Sequence, residues 1–192
     1  MSPRRSRGAA GLLVAVCLWG PGGCSISDSH RFDFMIETLR ERAEHLGSAE
    51  RREIARGLIR AERKTGVDAF LLLALMEEES HFKQRARSRR GALGLLQVLP
   101  ETGREVAQRN RISWKGEASL FLPSVNIFIG AAYLAELREQ FDDWDVALTA
   151  YNHGPTKARE LARRGRKPSS RFAARVLRRF ESLRQAAEAA RE

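Results

Sequence analysis

Three observations predict an all-α chain. Apolar residues recur at three-and-four spacing in almost every segment from Arg52 onward, and no stretch alternates apolar and polar residues as a surface strand would. The one long apolar run is built mainly of alanine, leucine and methionine, which favour helix over strand. A length of 192 residues with 43% hydrophobic content suits one cored domain with terminal extensions.

The first residues stand apart from that domain. Arg4, Arg5 and Arg7 precede an apolar stretch from Ala9 to Trp19, and "GPGGCSIS" follows, which is the layout of an export signal. The stretch is too short to remain as a membrane span; a short buried N-terminal helix is the alternative. The two cysteines are Cys17, inside the stretch, and Cys24, just after it. Cleavage between Gly23 and Cys24 leaves one cysteine at the head of the mature chain, with no internal disulfide possible. This layout resembles a bacterial lipoprotein signal, in which that cysteine carries lipid, although Pro21 stands where the pattern has leucine or a similar residue. Lipidation of Cys24 is expected, with plain secretion as the alternative, and either places the protein in the bacterial cell envelope. The expected organisation is 1–23 signal, 24–54 N-terminal tether and helix, 55–185 main domain, and 186–192 C-terminal tail.

The elements follow in order. "FDFMIETLRERAEHL" places Phe32, Met35, Ile36 and Leu39 at helical spacing, as a helix on the domain or a partly ordered tether. "REIARGLIRAERKTG" carries Ile54, Leu58 and Ile59 on one side and stops at Gly66. "VDAFLLLALMEEES" begins with Asp68 as N-cap. "SRRGALGLLQVLPETGREVAQRN" opens as a glycine-containing loop and enters a helix, and a longer helix starts after Pro123. "WDVALTAYNHGP" is a shorter helix ended by Gly154 and Pro155, and "SRFAARVLRRFESLRQAAEAA" is a closing amphipathic helix.

Chemistry concentrates where the apolar run ends. Ala69 to Met76 contains no polar residue, so its helix is buried on every side, yet Glu77, Glu78 and Glu79 follow directly. A carboxylate leaving the C-terminal end of a buried helix meets the negative end of the helix dipole and poor solvation. Both disfavour ionisation. A carboxylic acid kept protonated near neutral pH is what general-acid cleavage of a glycosidic bond requires. Periodicity alone does not choose among the three glutamates, and a solvated last turn beside the arginines that follow is the alternative.

The residues that follow decide. "ES" at 79–80, Ser88, "GALGLLQ" at 91–97, Pro100, Thr102, Asn126 with Ile127, and "AYNHG" at 150–154 occur in one order. Over roughly residues 55 to 185 this resembles the soluble lytic transglycosylase family, whose catalytic domain is goose-type-lysozyme-like. The family's usual Met in "GLMQ" is Leu96 here. The resemblance implies that Glu79, the glutamate beside Ser80, is the single acid/base. It implies that Ser88 and Gln97 bond the saccharide or the catalytic carboxyl, with ordinary loop bonding as the alternative. Tyr151 would orient Glu79 or stabilise charge at the anomeric carbon, and Asn152 would brace the same turn beside the substrate. Gly91 and Gly94 would let the backbone turn tightly and approach a ligand, Asn126 would bond backbone inside the domain, and Gly154 would close the motif.

The mechanism so implied has two steps. Glu79 protonates the oxygen between N-acetylmuramic acid and N-acetylglucosamine in peptidoglycan glycan strands, with the substrate's acetamido group stabilising the cation. Glu79 then removes the C6 hydroxyl proton as a 1,6-anhydro ring closes. No cofactor and no metal are expected, and His30, His45, His81 and His153 form no zinc spacing. Hydrolysis of the lysozyme kind is the rival, and its second carboxylate would come from Asp142, Asp143 or Asp145, which sit where helix caps are expected. From another class, the ten Lys or Arg between Lys157 and Arg179 invite an anionic partner. With only Phe172 as aromatic and an export signal upstream, nucleic acid is not expected. Anionic wall polymer, lipid headgroups or a merely solvated face remain for that stretch.

Overall fold

The computed structural model describes residues 27–164 and 169–190. Cys24 and the expected signal lie outside them. Among the described residues the elements are α1 (Asp28–Arg42), α2 (Ser48–Thr65), α3 (Ala69–Ser80), α4 (Pro100–Arg109), a 3-10 turn (Glu117–Phe121), α5 (Pro123–Phe141), α6 (Trp144–His153), α7 (Pro155–Arg163) and α8 (Arg171–Ala189). No helix here is long and apolar enough to cross a membrane.

Helix α3 is the axis of the molecule because its sequence gives it no polar side to show to water. Each residue from Ala69 to Met76 is at most 2% exposed. Each leucine so enclosed contributes roughly 1.5–3 kcal/mol of apolar burial. Helices α2 and α8 pack on α3, while α2 also holds α1 and α5, and α6 joins α5, α7 and α8. The Asp68 carboxylate caps α3 by accepting from the Phe70 N–H at 2.7 Å. Gly66, with φ 73°, ends α2 in the left-handed conformation glycine adopts without strain.

The other end of α3 turns abruptly. His81 and Phe82 both take left-handed backbone, with φ 49° and 61°. Two such non-glycine residues cost on the order of 1–3 kcal/mol each. Complete burial of the Phe82 side chain offsets that cost, and the His45 ring nitrogen lies 3.2 Å from the Phe82 carbonyl. The reversal brings the loop up to Leu99 beside the last turn of α3. Isolated β-bridges Arg87–Leu93 and Leu93–Val98 pin this loop without forming a strand.

Some expectations need correction. Gly154 and Pro155 end α6, but Pro155 also opens α7, because proline's missing N–H costs nothing in a first helical turn. The boundary expected at 54/55 falls inside α2, and the one at 185/186 falls inside α8. Met35 and Leu39 of α1 and Ala187 of α8 are fully buried in the common core. The stretch 157–179 is not one basic face: Arg175 and Arg179 reach across to the glutamates of α3.

Candidate active site

The three glutamates of the last α3 turn have different surroundings. Glu77 pairs with Arg42 at 3.1 Å and with Arg179 at 2.5 Å. Glu78 accepts from Arg175 at 2.7 Å and from Arg179 at 2.8 Å. Glu79 has no hydrogen bond or ion pair among the described residues, and it lines a cleft of about 350 Å³.

Ionisation follows from these surroundings. Burial works to raise the Glu78 pKa, but the bonds from Arg175 and Arg179 outweigh it and hold the carboxyl below its ordinary value. At Glu79 burial is unopposed. It pushes the pKa up to about 8, and the neighbouring charge of Glu78 adds to the effect. Glu79 is therefore a protonated acid at neutral pH, one residue away from a stabilised carboxylate.

The cleft is walled by the 83–99 loop and by the C-terminal end of α6, with Ser88, Arg90, Gln97, Leu99, Tyr151, Asn152 and His153 facing Glu79's surroundings. Its frame is built by Asn126, buried on α5. The Asn126 Oδ1 accepts from Leu96 N–H at 2.7 Å, and its Nδ2 donates to the carbonyls of Leu93 and Leu120, both at 2.9 Å. Gly94 has φ 77°, and a Cβ there would sit 2.2 Å from the Leu120 carbonyl oxygen and 2.3 Å from Asn126 Nδ2. The space that glycine frees is thus taken by Asn126 rather than by a ligand. Gly91, with φ 81°, serves the turn closed by its N–H to the Ser88 carbonyl at 3.1 Å.

The polar side chains are committed in specific ways. Ser88 Oγ accepts from Ala92 N–H at 3.0 Å, which leaves its own proton to donate. Gln97 Nε2 donates to the carbonyls of Gly94 at 2.8 Å and Ala86 at 3.3 Å. Ser80, buried, donates to the Met76 carbonyl at 3.2 Å. Tyr151 donates its phenolic proton to the Leu96 carbonyl at 2.8 Å, so the hydroxyl offers the cleft lone pairs and no proton. Burial, with the nearby Glu79 charge second, raises its pKa well above the ordinary value. Asn152 stands in the cleft wall, and its amide makes no hydrogen bond among the described residues.

Three features escaped the sequence. Arg175 and Arg179 lie far along the chain from the glutamates they neutralise. Gly130 of α5 has no left-handed backbone to mark it, yet a Cβ there would lie 2.6 Å from a Leu96 methyl and 3.0 Å from the Tyr151 hydroxyl. His153 and Arg90 line the cleft, whereas His81 is exposed, with its Nδ1 2.5 Å from the Glu77 carbonyl. Asp143 caps α6 by accepting from Val146 N–H at 3.1 Å. That puts it about 12 Å along the helix axis from Tyr151. Among the described residues lining the cleft, Glu79 is the one carboxylate.

The all-helical core is a lysozyme-like arrangement of the transglycosylase type. Residues 57–172 match the family described as "Transglycosylase SLT domain", and the chain belongs to that family. It is 41% identical over 109 residues to the membrane-bound lytic murein transglycosylase C of Shigella sonnei, covering 51% of this chain and 30% of that one. It is 35% identical over 86 residues to a putative soluble lytic murein transglycosylase of Haemophilus influenzae, covering 44% of this chain and 14% of the relative. The chain thus spans less than a third of these curated relatives. Among solved structures, an inactive mutant of lytic transglycosylase Slt from Pseudomonas aeruginosa superposes with a TM-score of 0.65 at 27% identity, over 80% of this chain and 28% of that one. The 70 kDa soluble lytic transglycosylase of Escherichia coli shares the fold, with a TM-score of 0.62 at 22% identity over 82% of this chain and 28% of that one.

Proposed function

We propose that this protein is a peptidoglycan lytic transglycosylase in which Glu79 is first the acid and then the base. One observation carries this: of three adjacent glutamates, the one beside Ser80 is the only one left without a cationic partner, and it opens on the cleft. Family membership and the murein transglycosylases among its relatives support the substrate class.

Glu79, protonated at neutral pH, gives its proton to the glycosidic oxygen as the bond to the muramic anomeric carbon breaks. The substrate's acetamido oxygen takes up that carbon, as in other substrate-assisted glycosidases. Tyr151, whose own proton is held by Leu96, presents only lone pairs and so favours the developing positive charge. The Glu79 carboxylate left behind is poorly solvated and therefore a strong base. It removes the C6 hydroxyl proton as O6 closes on the anomeric carbon, which restores both the acetamide and the acid without consuming water. Ser88 and Asn152 keep hydrogen-bonding capacity for the sugar, as do Gln97 Oε1, Arg90 and His153, while Gln97 Nε2 holds the loop.

A hydrolase of the inverting kind needs a second carboxylate about 6.5–9.5 Å away to place water. The aspartates of 142–145 are at the opposite end of α6. Purified sacculi incubated with the protein should release muropeptides ending in 1,6-anhydromuramic acid. Products carrying only reducing muramic ends would refute the proposal. We further infer that Cys24 carries lipid and anchors the enzyme to the outer membrane on its periplasmic side. Cys24→Ala should then move it from the membrane to the aqueous fraction, and a mature N-terminus elsewhere than residue 24 would overturn this.

A further inference from the structure

A second cleft, of about 430 Å³, lies between α2 and the start of α5. Its floor is apolar, from Ala61, Ile112, Val125 and Phe128, and its rim carries Arg60, Arg63 and Lys64. Leu122, one turn before Val125, is 55% exposed. Along α2 the exposed basic residues Arg52, Arg56, Arg60 and Lys64 recur every fourth position, so they form one ridge. Arg60 and Lys64 carry no ion pair among the described residues. No member of this group touches the Glu79 cleft, and none is used by the mechanism.

The position of the chain's N-terminal side identifies the partner. Helix α1 starts at Asp28, whose carboxylate pairs with Arg63 on this rim. Arg31 then ties α1 to Glu62 at 3.0 Å and to Asp68 at 3.3 Å. The described chain therefore begins, at Ser27, beside this basic, apolar-floored face, and Cys24 precedes it by three residues in the sequence. Asp68 caps the start of α3, and Glu79 stands at its end, about 16 Å further along the axis. The ridge from Arg52 to Lys64 runs along α2, and none of its residues lines the Glu79 cleft.

We propose that the α2 ridge and the cleft beside it are a docking surface for an anionic phospholipid bilayer. Arg56, Arg60 and Lys64 meet the headgroups, and Leu122 and Phe128 meet the apolar layer beneath. The proposal goes beyond the enzymatic function and does not require Cys24 to be acylated.

The test measures binding of the full chain to vesicles of zwitterionic lipid alone and of zwitterionic lipid mixed with anionic phosphatidylglycerol, at low and physiological salt. The α2 and α8 variants share the N-terminal segment with its Arg4, Arg5 and Arg7, so comparing them cancels whatever that segment contributes. The variant Arg60→Glu/Lys64→Glu is set against Arg171→Glu/Arg178→Glu, which makes the same charge change on α8. Each basic residue near an anionic surface is worth about 1 kcal/mol, so the α2 variant should lose on the order of thirtyfold of the anionic preference. The α8 variant should keep it, and added salt should weaken it. Cleavage of soluble glycan should be unchanged in the α2 variant, which separates failure of docking from failure of the enzymatic proposal. Equal losses in both variants would reduce the effect to net charge and overturn the proposal. So would absence of any anionic preference, or a ridge that binds soluble anionic wall polymer but not vesicles.

Discussion

Glu78 and Glu79 are neighbours in one helical turn and have opposite fates. Glu78 faces α8, where Arg175 and Arg179 satisfy it and hold it ionised. Glu79 faces a cleft in which no cation pairs with it among the described residues, and stays protonated to a pKa of about 8. The seam between α3 and α8 thus stabilises the Glu78 carboxylate, whereas the cleft withholds that stabilisation from Glu79. Ion pairing and depth of burial together distinguish the two carboxyls here; residue type is shared.

The comparison is broken most severely at Glu79. Glu79→Gln keeps the shape but carries no transferable proton, and turnover should fall about ten-thousandfold, the upper end for a general acid that also serves as base. For the wild type, kcat/KM on sacculi should decline as pH rises through about 8, where the acid is lost. Stability should show the matching sign. The Glu79 carboxyl has a folded pKa of about 8 against an ordinary 4.5, so its contribution is full below pH 4.5 and is lost as pH rises through 8. Denaturant melts should therefore show Glu79→Gln gaining stability over the wild type across that window. Glu78, held below its ordinary value, contributes the other way: its share is present above pH 4.5 and is lost on acidification. A flat difference between wild type and Glu79→Gln from pH 4.5 to 8 would mean that Glu79 is an ordinary solvated carboxylate.

Next in size is Gly94→Ala, which tests the frame and not the acid. Left-handed backbone and a methyl driven against Leu120 and Asn126 should cost about 2–5 kcal/mol, read as a lower midpoint in urea. Arg179→Ala should cost less, about 1–3 kcal/mol, because it strips charged hydrogen bonds from Glu78 and Glu77 while Arg175 and Arg42 remain. The loss should appear in stability, with activity per folded molecule largely kept. A collapse of kcat without a stability change would contradict the division between seam and cleft. The smallest effect is expected from Glu77→Gln, with turnover within about threefold of wild type, since a partner removed near the surface costs little.

Much of this was legible in the chain. Local chemistry writes the helix limits: Asp68 and Asp143 as N-caps, Gly66 in a left-handed turn, Pro123 opening α5. Helix α7 was not, because a Gly-Pro pair that ends one helix can begin another. Nor were the boundaries at 54 and 185, since the burial of α1 and of the end of α8 depends on surfaces supplied by distant segments.

At the site the division is sharper. The sequence by itself determined that a carboxylate would emerge from a buried helix end, because eight apolar residues in succession leave α3 nowhere to go but the core. It could not rank the three glutamates on periodicity, and only the match to a family pattern singled out Glu79. Tertiary structure gives the three glutamates different surroundings. The arginines that neutralise Glu78 are 97 and 101 residues away in the chain, and their approach depends on how α8 packs across α3. Caps and turns are short-range and can be read from a few residues, whereas a pKa is set by every charge and dipole within several ångströms, whichever part of the chain brings it there.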